Sequence, residues 1–285
     1  MSASKSLPAE RAPAVAGAPV VVPLPNRASW ALGSIVVLAL IGAVVGLARN
    51  PQIDWSVFGQ YLFNRRVLAG LLATIELSAL ALVVGIVVGL LVAGLKLSPN
   101  RVLSSVADLY IWLFRGVPAI VQLLIWGNVG LFLPELRLPL PQGDLVIDMR
   151  LAAFTASVLG LGLHESAFMA EIIRGGVLSV EAGQLEAASA LGMTRRRAMQ
   201  RIVFPQALRV IIPPVGNQLT SLVKMSALVS VISGGELLNE VQNIAANNYR
   251  VIEMLFVATF WYLVLMAVIG LVQSIIERRL RQTVR

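Results

Sequence analysis

Residues 68 to 95 read LAGLLATIELSALALVVGIVVGLLVAGL, with Glu76 as the one charged side chain in the run. A helix of this length is apolar on every face and too long for a buried core helix, whereas a bilayer needs about 20 apolar residues per crossing. The chain therefore folds in a membrane. Composition agrees: of 285 residues 57% are hydrophobic and 13% charged, and the mean hydropathy is +0.81. Only helices and closed barrels satisfy their backbone groups in lipid. Aromatics make up 6% of the chain, too few for the aromatic girdles of a barrel, while the Leu, Val, Ala, Ile and Gly that dominate suit helices packed through small residues. The expected fold class is an all-α integral membrane protein.

Runs of sufficient length predict six spans, at 30 to 48, 68 to 95, 109 to 133, 151 to 173, 212 to 233 and 254 to 276. Six spans place both termini on one side. If that side is the cytoplasm, 16 of the 23 Lys and Arg lie inside; Arg49, Arg65, Arg66, Arg137, Arg150 and Arg250 lie outside, and Lys224 falls within a span. The asymmetry fixes the orientation by the positive-inside rule. Acids such as Asp54, Glu135, Asp144, Asp148, Glu236, Glu240 and Glu253 collect outside.

Residues 1 to 29, rich in Pro, Ala and Ser, read as a disordered cytoplasmic tail. A signal peptide is the rival, but WALGSIVVLALIGAVVGL (30 to 47) lacks a clear small-residue cleavage site. The net charge of +8 is a topology signal, so nucleic-acid binding is set aside. With no cysteine and one histidine there is no thiolate site and no multi-His cluster, so neither a metal nor another cofactor is expected.

Between the fourth and fifth spans lies a polar, basic segment that keeps its own helical pattern. Glu181 to Leu191 is rich in Ala, Glu and Leu, Gly192 interrupts it, and Thr194 is placed to cap a second helix, Arg195 to Val203, ending before Pro205. Arg195, Arg196, Arg197 and Arg201 hold that helix at headgroup level or in water. On physical grounds this is a helix-Gly-helix surface element, which any polytopic protein could carry.

The letters are more specific. Glu186-Ala187-Ala188, Gly192, Ile202 and Phe204-Pro205, in that gapped order, resemble the EAA loop of permease subunits of binding-protein-dependent ABC importers. Thr74-Ile75-Glu76-Leu77-Ser78 is similar to the polar amino acid branch of that family. So are Phe114-Arg115-Gly116-Val117-Pro118 with Gln122-Leu123, Ala170 through Gly176, and Pro205-Gln206-Ala207-Leu208-Arg209 followed by Pro213 through Gln218. The resemblance covers about residues 68 to 280, as an importer transmembrane domain with its coupling loop at 181 to 205; residues 30 to 48 precede it as a peripheral helix. It implies a bacterial cytoplasmic (inner) membrane importer of polar amino acids. Two permease subunits, identical or different, would form the pore, two cytoplasmic ATPases would drive it, and an extracytoplasmic solute-binding protein would deliver substrate. In such a complex Glu186, Ala187, Ala188, Gly192, Ile202 and Pro205 couple to the ATPase. No Gly-x-x-x-x-Gly-Lys-Ser/Thr pattern occurs, so the ATP chemistry is expected in trans and the chain itself is not expected to be an enzyme.

Charges within spans cost about 2.5 to 3.5 kcal/mol on insertion scales and so face an interior or a cavity. Glu165 and His164 either meet the substrate, lining one wide cavity, or pair internally. Glu76 either pairs structurally, the favoured reading, or lies on the substrate path. Asn217 and Gln218 follow a Pro-Pro break and either contact substrate or satisfy freed carbonyls. The family often has Lys followed by Asp or Asn in the fifth span; here Met225 follows Lys224, which needs another partner, Glu165 or a substrate carboxylate. Gly85, Gly89 and Gly94 are read as surfaces for close helix approach. Rival readings are a methionine or osmolyte permease of the same kind, an ion-coupled secondary transporter using the intramembrane acids and histidine, and a non-transporting scaffold, against which the polar residues in the spans speak.

Overall fold

A computed structural model describes residues 27–138 and 145–282. The tail expected at residues 1 to 29 lies, as far as residue 26, outside them. The chain divides into two units after Ile53. In the first, helix α1 (Arg27–Ala48) exposes its side chains from Trp30 to Arg49 all round, as a lipid-facing helix does.

The second unit holds α2 (Trp55–Leu62), α3 (Arg65–Lys96), α4 (Arg101–Gly116), α5 (Ala119–Gly127) and α6 (Val129–Phe132). A hairpin, β1 (Glu135–Leu138) and β2 (Leu145–Asp148), follows, paired antiparallel with Glu135 opposite Asp148. Then come α7 (Ala153–Leu178), α8 (Ala182–Ala190), α9 (Arg195–Ala198), α10 (Phe204–Met225), a 3-10 stretch (Ser226–Ile232), α11 (Leu237–Asn248) and α12 (Val251–Gln282). Five helical segments are long and apolar enough to cross a bilayer, and six if the bent pair α4 and α5 counts as one span. The sixfold count expected from the sequence therefore stands.

The seam between α3 and α7 organises this unit. Along α3 the buried residues are Val67, Gly70, Thr74, Leu77, Ser78, Ala81, Gly85, Gly89, Val92 and Ala93, a stripe at helical spacing made mostly of small side chains. A methyl group added at Gly89 would sit 2.6 Å from Cβ of Met169, and one at Gly162 would sit 2.7 Å from Val84. Lipid gives no hydrophobic reward for association, so close backbone approach and internal hydrogen bonds do the holding. Thr74 shows the second device: its hydroxyl donates to Gly70 O and accepts from the Leu237 amide, each at 3.0 Å. Gly94, expected on the same face, has open space around it; it lies beyond the end of the stripe.

The third expected span is broken. Val117 is extended (φ −91°, ψ 130°), as a residue before proline prefers, and α4 and α5 meet at 97°. The fifth expected span, by contrast, is longer than the sequence suggested. The helical segment runs from Arg195 to Ile232 and passes through Pro205, Pro213 and Pro214. The second loop helix thus does not end before Pro205, and there is no Pro-Pro break ahead of Asn217. Prolines at 213 and 214 strand the carbonyls of Arg209 and Val210, four residues back; both residues are exposed.

Candidate functional site

Two polar regions carry the chemistry. The first is the polar arm between α7 and α10. Helix α8 closes with Gly192 at φ +71°, the Gly192 amide donating to Ser189 O and that of Met193 to Ala188 O, both at 3.0 Å. This pair of bonds is the left-handed glycine termination of a helix, which a residue with a Cβ enters only at a cost. Thr194 then caps α9, its hydroxyl accepting from the Arg197 amide, as expected. Glu186 and Ala187 are exposed, whereas Ala188 is buried. Ile202 is half-buried and Pro205 exposed. Leu191 is 82% exposed and Phe204 58%, large apolar side chains left uncovered on a polar arm.

The second region is intramembrane. Glu165 is 1% exposed. It packs against α3, its Cγ 3.0 Å from where a Cβ on Gly85 would lie. Gln218 of α10 is a polar neighbour, and Oε1 of Glu165 has no hydrogen-bond partner. His164 faces elsewhere: its Nδ1 lies 3.1 Å from Nε2 of Gln122 on α5, and its ring is 5.3 Å from that of Phe168. Consecutive residues point about 100° apart, and within the chain the two side chains meet different helices.

Glu76 corrects another expectation. It is exposed and has neither ion pair nor hydrogen bond among the described residues, because it stands about 200° around α3 from buried Thr74. Lys224 is likewise exposed, with no ion pair to Glu165. It opens onto a groove of about 320 Å³ lined also by Ala227, Thr259, Tyr262, Leu263 and Met266. Asn217 is exposed and accepts a 3.0 Å bond from Gln273 of α12. Seven residues separate Asn217 from Lys224, so the two project within about 20° of one another on α10, with Ser221 about 40° away. One face of α10 is thereby a polar stripe within a span.

Two arrangements had no role in the sequence reading. Nε2 of Gln122 donates to Phe114 O and Val117 O, each at 2.8 Å, and so takes the carbonyls left free where Pro118 ends α4. An amide side chain one turn beyond a proline break is the signal that would have found it. Near the other end of α4, Lys96 bridges Glu171 (2.6 Å) and Asp108 (2.9 Å), while Arg174 also holds Glu171 (2.9 Å). That network ties α3, α4 and α7 together.

Residues 85–282 match the model of binding-protein-dependent transport system inner membrane components. The arginine transport system permease protein ArgU of Corynebacterium glutamicum is 38% identical over 257 residues, 90% of this chain and 81% of that one. The L-cystine transport system permease protein TcyB of Bacillus subtilis is 35% identical, covering 82% of this chain and 94% of that one. A crystal structure of an amino acid ABC transporter with histidines superposes with a TM-score of 0.69 at 34% identity, over 80% of this chain and 99% of that one.

Proposed function

The chain belongs to the inner membrane components of binding-protein-dependent transport systems, and from that premise we propose that it is the permease subunit of an ATP-driven importer of polar amino acids. Its partners are a second permease subunit, cytoplasmic ATPases and an extracytoplasmic binding protein. Both termini lie in the cytoplasm, by the distribution of Lys and Arg, and α1 supplies the extra crossing that puts the amino terminus there.

The observation that carries the transport path is the polar stripe of α10. Asn217 and Lys224 stand exposed, with Ser221 half-buried beside them, on one face of a membrane helix, and such a face requires water or protein against it. We place it on the pore, with Lys224 meeting the carboxylate that every amino acid carries. Glu165 offers the complementary charge to the ammonium. Its burial behind Gln218 means that α10 must move relative to α7 before substrate reaches it. Movement enters through the arm: Glu186, Ala187, Leu191 and Phe204 are the exposed contacts that an ATPase grips, and Gly192 supplies the corner between them.

The direct test is uptake into proteoliposomes containing the cognate ATPase and binding protein, screened across amino acids. ATP-dependent uptake of at least one polar amino acid is the expected result; failure with all of them refutes the substrate class, and uptake that follows a proton gradient without the ATPase favours ion coupling. Glu186→Arg should insert normally yet lose uptake while ATP hydrolysis continues. Lys224→Met, at normal expression, should slow uptake on the order of tenfold, as loss of one charged substrate contact does; unchanged transport of every substrate removes Lys224 from the path.

A further inference from the structure

We propose that Gln206 is a positioning residue that makes the cytoplasmic arm and the α10 span move as one lever; this rests on the reading of residues 181–205 as the ATPase-coupling loop. Pro205 lies inside a continuous helical segment, where it lacks an amide proton and its ring crowds the carbonyl four residues back. The chain accommodates it with a π turn over Met199–Val203, in which the Phe204 amide donates to Met199 O. A π turn inserts one residue into the helical ladder and puts nearby carbonyls out of step.

Gln206 meets that disturbance with its side chain. Nε2 donates to Ile202 O at 3.1 Å and also to Oε1 of Gln184 on α8. A primary amide has two protons, and both are committed: one mends the helix at the π turn, the other crosses 22 positions of sequence to the far limb of the arm. The limb it holds is two-sided. Gln184 and buried Ala188 are one turn apart and face inward, while Glu186, about 200° round from Gln184, faces out. Between α8 and α9 the chain otherwise turns at Gly192, a corner with no side chain of its own to stiffen it. A push on Glu186 would be spent in bending that corner unless α8 is fixed to α10. The Gln184–Gln206 bond is the brace that fixes it, and it sits at the root of the helix whose polar stripe lines the path.

The test uses the assembled importer in proteoliposomes and reads amino acid taken up per ATP hydrolysed. Gln206→Ala should lower that ratio about fivefold, the order of one hydrogen bond in a partly buried site, with ATPase copurification and thermal unfolding unchanged. The pair Gln184→Glu with Gln206→Lys should restore it. An unchanged ratio in Gln206→Ala overturns the proposal. The chain has no cysteine, so Gln184→Cys with Gln206→Cys can be bridged by a short reducible bis-thiol reagent even if Gln206→Ala fails to assemble. Retained coupled uptake in the bridged protein supports a brace that stays closed through the cycle; loss on bridging, reversed by reductant, overturns it. Cross-linking of Ala187→Cys to the partner ATPase tests the underlying reading separately, so failure of the brace and failure of the coupling loop give different results.

Discussion

The α3–α7 seam and the exposed face of α10 with its arm are both helical and both rich in small or polar residues, yet they are finished in opposite ways. On the seam, Gly85, Gly89 and Gly162 bring backbones so close that a methyl group has no room, and the hydroxyls of Thr74 and Ser78 are bonded within the chain. On α10 and the arm, Lys224, Glu186, Leu191 and Phe204 stand uncovered. One surface is complete in a single chain; the other is complete only in an assembly. A subunit that must move against partners keeps its scaffold and its moving parts on different helices, and Glu165, seated on the seam but facing Gln218 of α10, is where the two meet.

The contrast is most exposed to refutation at Gly89. Gly89→Leu drives a side chain into Met169 and the backbone of Ser166; overpacking of this kind costs about 3 kcal/mol or more, and thermal unfolding in detergent should show a large fall or no assembled protein. Gly94→Leu, in open space, should unfold like the parent. Equal behaviour of the two would dissolve the distinction between seam and surface. Removing the seam's charged clamp is a milder blow: Lys96→Met leaves Asp108 without its partner and Glu171 with Arg174 alone, for a loss of about 1 kcal/mol in this half-exposed network, read by the same melt. In the arm, Gly192→Ala should cost about 1 kcal/mol for its left-handed backbone while Gly183→Ala, unstrained, should cost nothing; a reversed order would place the corner elsewhere. The smallest effect belongs to Asp54, the cap of α2. The Ser56 hydroxyl and then its amide hold this carboxyl below its ordinary 3.8, so its contribution is full above that value and fades as pH falls through the lower folded one. Asp54→Asn should flatten that part of the acid unfolding curve, and the small loss it causes should be present in full at neutral pH.

Much of this was legible in the letters. Span number, the Thr194 cap and the Gly192 corner follow from local rules on hydropathy and capping, which act within a few residues. Proline was misread at Pro205, Pro213 and Pro214 for a physical reason. At Pro118 the chain breaks because the extended Val117 and the amide of Gln122 give the freed carbonyls somewhere to go. At Pro205 it continues because a π turn and a glutamine side chain do the same without a break, and at Pro213 and Pro214 the stranded carbonyls belong to exposed residues. Local sequence says that a carbonyl is stranded; the fold decides who answers it. Partnership of charges was equally hidden. Glu76 looked like a structural ion pair, and His164 and Glu165 like neighbours in one cavity, but a 100° or 200° step around a helix selects a different neighbour, and the neighbours are set by packing between α3, α5, α7 and α10. Helix α2, the hairpin and α11 were missed because they are too short or too polar to register as crossings.

Helices α3 and α12 each contain 32 residues, a length of about 48 Å at 1.5 Å per residue, against a hydrocarbon layer of about 30 Å. The surplus has to be tilted away or carried out into water. Any change of tilt during a cycle then alters how much hydrocarbon the molecule wraps, at a fraction of a kcal/mol per Å. For this protein the thickness of the surrounding lipid is itself a load on the working stroke.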